Sequence, residues 1–248
     1  MHGLNPDQLE AVNTLSGPLL VLAGAGTGKT RVITYRIVKL IQTGTPRERI
    51  LAVTFTNKAA NEMRERLMPM IKVKKKQSTP VDKYKPKYAK NKFAEEEKQP
   101  TVSTFHSLCV KILRRRIDKL GYPLTFAIYN RGDQESLARS VLREISVNDK
   151  MLAPNQLLYH IGNWKCKSFT PDDAIVQSES DVQHLAAIAY QKYQRQLKLS
   201  GAVDFDDLLL LTEKLFREHD DDRREEADRF DHLLIDEYQD TNLSLIHI

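Results

Sequence analysis

The apolar residues of this chain fall in runs whose spacing separates strands from helices. Residues 18–23, PLLVLA, form a short unbroken apolar run between two glycines, the pattern of a strand buried in a parallel sheet. The run passes into GAGTGKT and then into RVITYRIVKLIQTG, where apolar positions recur at helical spacing. Gly44, with Pro46 just beyond, supplies the stop. Residues 50–57, ILAVTFTN, read as another buried strand with a turn at its end, and residues 232–237, HLLIDE, as a further parallel strand ending in two acids. From about 110 to 202 the pattern is helical, with LARSVLREI and HLAAIAYQKYQRQLKL rich in good helix formers. At the start, Asn5 suits an N-cap, Pro6 the first helical position and Gln8 the reciprocal position of a capping box. No internal repeat is visible.

Two stretches depart from this pattern. Residues 72–98, KVKKKQSTPVDKYKPKYAKNKFAEEEK, have much lysine and little apolar periodicity, as in a surface insertion. Such a segment is either a solvated linker or a contact to nucleic-acid phosphates, with Tyr84, Tyr88 and Phe93 available to stack on bases. Residues 218–231, EHDDDRREEADRFD, read as an exposed helix end and loop. KILRRRI brings Lys111, Arg114, Arg115 and Arg116 together as a face for phosphates. Trp164, the single tryptophan, is expected in a core, with a contact to duplex DNA as the other reading.

Composition narrows the class. A chain of 248 residues can hold one large domain or two small ones, and 41% hydrophobic with 29% charged residues is ordinary for a globular protein. No apolar run has the length of a membrane span. Cys109 and Cys166 alone give no disulfide framework and no metal cluster, which points to a reducing cytoplasm. A net charge of +5 over this length favours a polyanionic partner only slightly.

The chemistry is carried by the glycine-rich turn. Strand, glycine-rich loop and helix are the setting a phosphate-binding loop needs. Gly24, Gly26 and Gly28 let backbone N–H groups curl around an anion, and the helix N-terminus adds partial positive charge. Lys29 reaches the outer phosphates, and the Thr30 hydroxyl is a Mg²⁺ ligand. The first position of the motif is Ala23 instead of glycine. Ligands of open α/β sheets sit at the carboxyl ends of strands, so the acid pair of HLLIDE is expected beside this loop. There Asp236 holds Mg²⁺ through water, and Glu237 is the general base for the water that attacks the γ-phosphate.

Six ordered stretches, LNPDQLEAV, AGAGTGKT, ILAVTFTNKAANEMRERL, TVSTFHSLC, VDFDDLL and LLIDEYQDTN, together resemble superfamily 1A DNA helicases of the UvrD, PcrA and Rep type. The resemblance covers nearly the whole chain. It implies an ATP-driven motor that moves 3′ to 5′ on single-stranded DNA, acting at junctions of single- and double-stranded DNA. It also implies a RecA-like parallel α/β fold over 1–109 and 203–248, with an all-helical subdomain inserted at 110–202. On this basis Gln8, Ala23, Gly24, Ala25, Gly26, Thr27, Gly28, Lys29, Thr30 and Arg31 line the ATP site. Gln8 matches the family's adenine-reading glutamine, beside its plain reading as a cap. Gln239 and Asp240 match residues that couple the nucleotide to a neighbouring domain.

The resemblance further places Thr54, Phe55, Asn57, Lys58, Thr104, Phe105 and His106 on the DNA path. Phe55 suits base stacking, although a lone phenylalanine after a strand is more often core. Asp204, Asp206 and Asp207 match no ligand spacing, and no metal is expected there. The family's second RecA-like domain, which supplies arginine fingers, does not follow within 241–248, and LSLIHI differs from the family's continuation after QDTN. The expectation is a chain cut after about Asn242 that does not unwind DNA alone. An ATP-gated DNA-binding module, or a subunit of a nuclease-linked helicase of the RecB or AddA kind, are the other readings.

Overall fold

The computed structural model of the chain describes residues 3–24, 26–71, 99–148 and 150–241. Ala25, the lysine-rich stretch 72–98 with its aromatic residues, and the tail 242–248 lie outside the described residues. The chain is mixed α/β and mostly helical, with a parallel sheet. In order, the elements are α1 (Pro6–Asn13), α2 (Lys29–Gln42), β1 (Ile50–Thr54), α3 (Asn57–Ile71), β2 (Thr101–Thr104) and α4 (Phe105–Arg116). They continue as β3 (Ala127–Ile128), α5 (Arg131–Glu144), α6 (Pro154–Cys166), α7 (Pro171–Val176) and α8 (Asp181–Leu199). The last are β4 (Ala202–Val203), α9 (Asp207–Glu218), α10 (Asp220–Ala227) and β5 (His232–Ile235).

By contact the chain forms two compact units, Met1–Thr104 with Ala227–Tyr238, and Phe105–Glu226 with Gln239–Ile248. In the first, β1 is the central strand, flanked in parallel by β2 and β5. All five residues of β1 are buried, as the unbroken apolar run requires. Helix α3 buries Ala60, Met63, Leu67 and Ile71 at helical spacing, and α2 buries Ile37, Val38 and Leu40. These side chains join those of β1 and β5 in one core. Asn5 and Gln8 form the capping box of α1, and Pro6 opens the helix.

The second unit centres on α8, whose Ala186, Ala187, Tyr190, Tyr193 and Leu197 are buried against α5, α6 and α7. Trp164 lies in this core, its ring stacked on Tyr190 at 6.0 Å. Residues 105–109 and 203–226 group here and not with the first unit: β4 pairs β3, and α9 packs on α4.

A buried ionic knot ties α6 to the start of α9. Lys165, with no side-chain exposure, reaches Asp204 at 2.6 Å and Asp207 at 2.7 Å. The Tyr193 hydroxyl donates to Asp204 at 3.2 Å, and the Gln194 amide donates to Asp207 at 3.0 Å. Each aspartate also accepts the other's backbone N–H. The acidic triplet that resembles a metal cluster in sequence is therefore spent largely on a lysine.

Four expectations need correction. Residues 18–23 form no regular element and join no ladder among the described residues, and Leu20 and Leu22 are 65% and 87% exposed. Apolar composition says that a segment tolerates burial, whereas a strand also needs a partner's N–H and C=O groups in register. Strand β5 is less buried than its sequence implies, with Leu233 largely exposed, because among the described residues it pairs on one edge only.

Residues 220–227 of the acidic stretch are helix α10, and its Asp222 and Glu226, four apart on one face, are buried. They meet the basic end of α4. Glu226 takes Arg115 in a forked pair at 2.7 Å, while Asp222 takes Arg116 at 2.7 Å and Lys119 at 2.6 Å. Burial alone would raise the Asp222 carboxyl, but Lys119 and Arg116 hold it below its usual range. Arg114 lies over the Phe126 ring. The expected phosphate face is thus mostly engaged within its own unit, with Lys111 left exposed.

Candidate nucleotide-binding site

Helix α2 begins directly at Lys29, and the residue before it, Gly28, has φ of +88°. That left-handed conformation is open to glycine and costly for most other residues. Among the described residues no side chain caps the first turn, so the orphan N–H groups of α2 face the loop with the positive end of the helix dipole. The Thr27 hydroxyl donates to the Gly24 carbonyl at 2.7 Å and closes the loop on itself.

The acids arrive from the far end of the sequence. The Asp236 N–H extends the β1–β5 ladder by donating to the Val53 carbonyl at 2.9 Å. The Thr30 hydroxyl donates to Asp236 Oδ2 at 3.2 Å across 206 positions of sequence. Lys29 Nζ lies 3.6 Å from Glu237 Oε1, and 3.4 and 3.5 Å from the Ala23 and Gly24 carbonyl oxygens. Loop, lysine, hydroxyl and both acids therefore share the carboxyl end of the parallel sheet.

Asp236 is 4% exposed. Burial raises its carboxyl above the usual range, and the Glu237 charge adds to this, while the Thr30 hydroxyl opposes it. Glu237 adopts φ of +55°, a left-handed conformation for a non-glycine residue that costs about 1–3 kcal/mol. Ser146 and Ser168 share this conformation, both with φ of +58°, so what sets Glu237 apart is its place beside Lys29. The hydroxyl of Thr30 and the carboxylate of Asp236 are hard oxygen donors, a set that fits Mg²⁺ retaining several waters.

A family model described as the UvrD/REP helicase N-terminal domain matches residues 4–248. The chain belongs to that family. Over 243 residues it is 38% identical to the ATP-dependent DNA helicase PcrA of Staphylococcus epidermidis and 37% identical to that of Staphylococcus aureus. Each match covers 98% of this chain, which spans about 30% of the length of these curated relatives.

The other residues singled out by the UvrD/REP motifs divide by exposure. Thr54 and Thr104 are register partners at the carboxyl ends of β1 and β2, and both are buried. Phe55 is half-buried in the turn after β1, and Asn57 and Lys58 are exposed at the start of α3. Phe105 is buried at the start of α4. His106 stacks on Phe205, with ring centroids 3.9 Å apart and planes within 14°. Burial holds its imidazole below the usual pKa.

Phe205, 52% exposed, was not anticipated; the signal was an aromatic residue set among the acids of VDFDDLL, where no core pattern calls for one. Arg31 lies 5.6 Å from the Tyr35 ring centroid. Gln239 and Asp240 fall in the short turn Tyr238–Asp240 and are exposed.

Proposed function

We propose that the chain is the ATP-binding portion of a DNA helicase that hydrolyses ATP with Mg²⁺ and moves 3′ to 5′ along single-stranded DNA. The observation that carries this reading is the convergence of Lys29 and Thr30 with Asp236 and Glu237 at one end of a parallel sheet. In this reading the first unit is a RecA-like sheet, and its chain is interrupted by the inserted helical subdomain. The backbone N–H groups at the start of α2 hold the β- and γ-phosphates. Lys29 leaves Glu237 to neutralise the transferring group, and Glu237 then accepts a proton from the attacking water. Thr30 and Asp236 hold Mg²⁺, which when bound screens the phosphate charge.

The partners that fit are single-stranded DNA, its junctions with duplex, and a second RecA-like domain; the compartment is the cytoplasm. ATP turnover by these residues joined to a second RecA-like domain, with and without oligo(dT), together with unwinding of 3′- and 5′-tailed duplexes, tests this. Stimulated turnover with unwinding of the 3′-tailed substrate is expected. ATP-dependent DNA binding without turnover would favour a gated binding module. Because the relatives are about three times as long, these 248 residues alone are expected to bind nucleotide and single strand without separating duplex.

Phe55, Asn57 and Lys58 line the turn that leads out of β1 and support a single-strand path there. Phe55→Ala is expected to weaken single-strand affinity by about 1–3 kcal/mol, the worth of one stacked base. Fluorescence anisotropy with oligo(dT) reads this out. Unchanged affinity together with a lowered melting temperature would assign Phe55 to the core.

A further inference from the structure

We infer that Gln8 is a positioning residue for the phosphate loop, holding the Thr27–Gly28 peptide in the orientation that turns an N–H toward the phosphates. The inference rests on the nucleotide reading above and adds a task independent of the base. The Gln8 amide has two anchors. Its Oε1 accepts the Asn5 backbone N–H at 3.0 Å, and its Nε2 donates to the Thr27 carbonyl at 2.8 Å, nineteen positions away.

Those anchors fix which way the amide faces. With Oε1 on an N–H, a flipped amide would oppose donor to donor at Asn5 and acceptor to acceptor at Thr27. The tether then acts through peptide geometry. A trans peptide is planar, with its C=O and N–H pointing in opposite directions, and no described peptide bond is cis. Holding the Thr27 oxygen from the α1 side therefore aims the Gly28 N–H away from α1. A Cβ at Gly28 would stand 3.4 Å from Gln8 Nε2, so the amide is already seated against the bare glycine backbone.

The two roles of Gln8 are compatible. An amide has two N–H groups and two lone pairs on oxygen, and the two anchors use one of each. One donor and one acceptor remain, the complement of adenine N7 and N6. Base and phosphate loop are thereby joined through a single side chain.

Inorganic tripolyphosphate, which has no base, separates the roles. Calorimetry would compare tripolyphosphate and ATP on the unsubstituted protein, Gln8→Ala and Asn5→Ala. Gln8→Ala is expected to weaken tripolyphosphate about tenfold, the scale of a lost hydrogen bond that orders a site. Asn5→Ala removes the side-chain half of the α1 cap but keeps the backbone N–H that anchors Gln8. It is expected to stay within about twofold, since the tether survives.

Normal tripolyphosphate binding by Gln8→Ala, with ATP weakened, would confine Gln8 to the base and overturn the inference. Equal losses in Gln8→Ala and Asn5→Ala would assign the effect to fraying of α1 and overturn it too. Failure of the unsubstituted protein to bind either ligand would instead remove the nucleotide reading, and the inference with it.

Discussion

Replacing Glu237 by glutamine is expected to cut ATP turnover on the order of a hundredfold or more while leaving ATP bound, the signature of a lost general base. The amide keeps the shape of the side chain but cannot take the proton of the attacking water. It also removes the charge that holds Lys29 Nζ at 3.6 Å, so the lysine no longer has to leave a partner when phosphates arrive. ADP affinity should therefore hold or rise. Lys29→Ala should act in the opposite sense on binding and still more severely on rate, by about 10²–10³ or beyond, as loss of a preorganised charge on the transition state does. Steady-state turnover with single-stranded DNA, beside ADP affinity by calorimetry, separates the two. A Glu237→Gln protein that hydrolyses ATP at the normal rate would remove Glu237 from the chemistry.

The parts of this site that were legible in sequence are those set by local rules. The glycine loop, the start of α2, and the Asn5–Gln8 cap each lie within a few residues and obey spacing rules that need no tertiary partner. The meeting of Thr30 with Asp236 was legible only because parallel strands present their carboxyl ends at one edge of a sheet. Pairing was not legible. Nothing in PLLVLA says whether another strand's edge receives it, and nothing in DDDRREEA says that Asp222 and Glu226 neutralise the basic end of α4. The stack of His106 on Phe205 joins residues about a hundred positions apart, which no single-segment pattern encodes. Lys165, the first of two lysines in NWKCKSF, likewise looks like a surface residue until Asp204 and Asp207 are found on it.

That lysine sets the other large effect. Lys165→Met is expected to destabilise the second unit by about 3–5 kcal/mol at neutral pH, the cost of leaving buried charges without their partner. Methionine fills a similar volume, so the loss is mainly electrostatic. Burial would depress the Lys165 ammonium, but Asp204 and Asp207 carry its pKa well above the ordinary value. Its contribution is therefore fully present below the unfolded value of about 10.4 and is lost only as pH rises through the folded one.

The carboxyls have the opposite problem. Burial, then the charge of Asp204, hold Asp207 above the usual range, and burial does the same to Asp206. The facing hydroxyls of Tyr122, Tyr190 and Tyr193 are raised by burial and stay neutral. A carboxyl whose folded pKa exceeds its unfolded one favours the fold increasingly as pH falls through the folded value. Without the lysine these carboxyls rise further, so protonation should recover part of the variant's deficit between about pH 7 and 5. Trp164, the single tryptophan, lies in the same core and reports unfolding of this unit by fluorescence. Denaturant curves at the two pH values decide the matter, and adding Asp207→Asn to Lys165→Met should restore part of the stability at neutral pH, with Asp204 still lacking its lysine. A deficit that is equal at both pH values would mean that Lys165 matters as packing and not as charge.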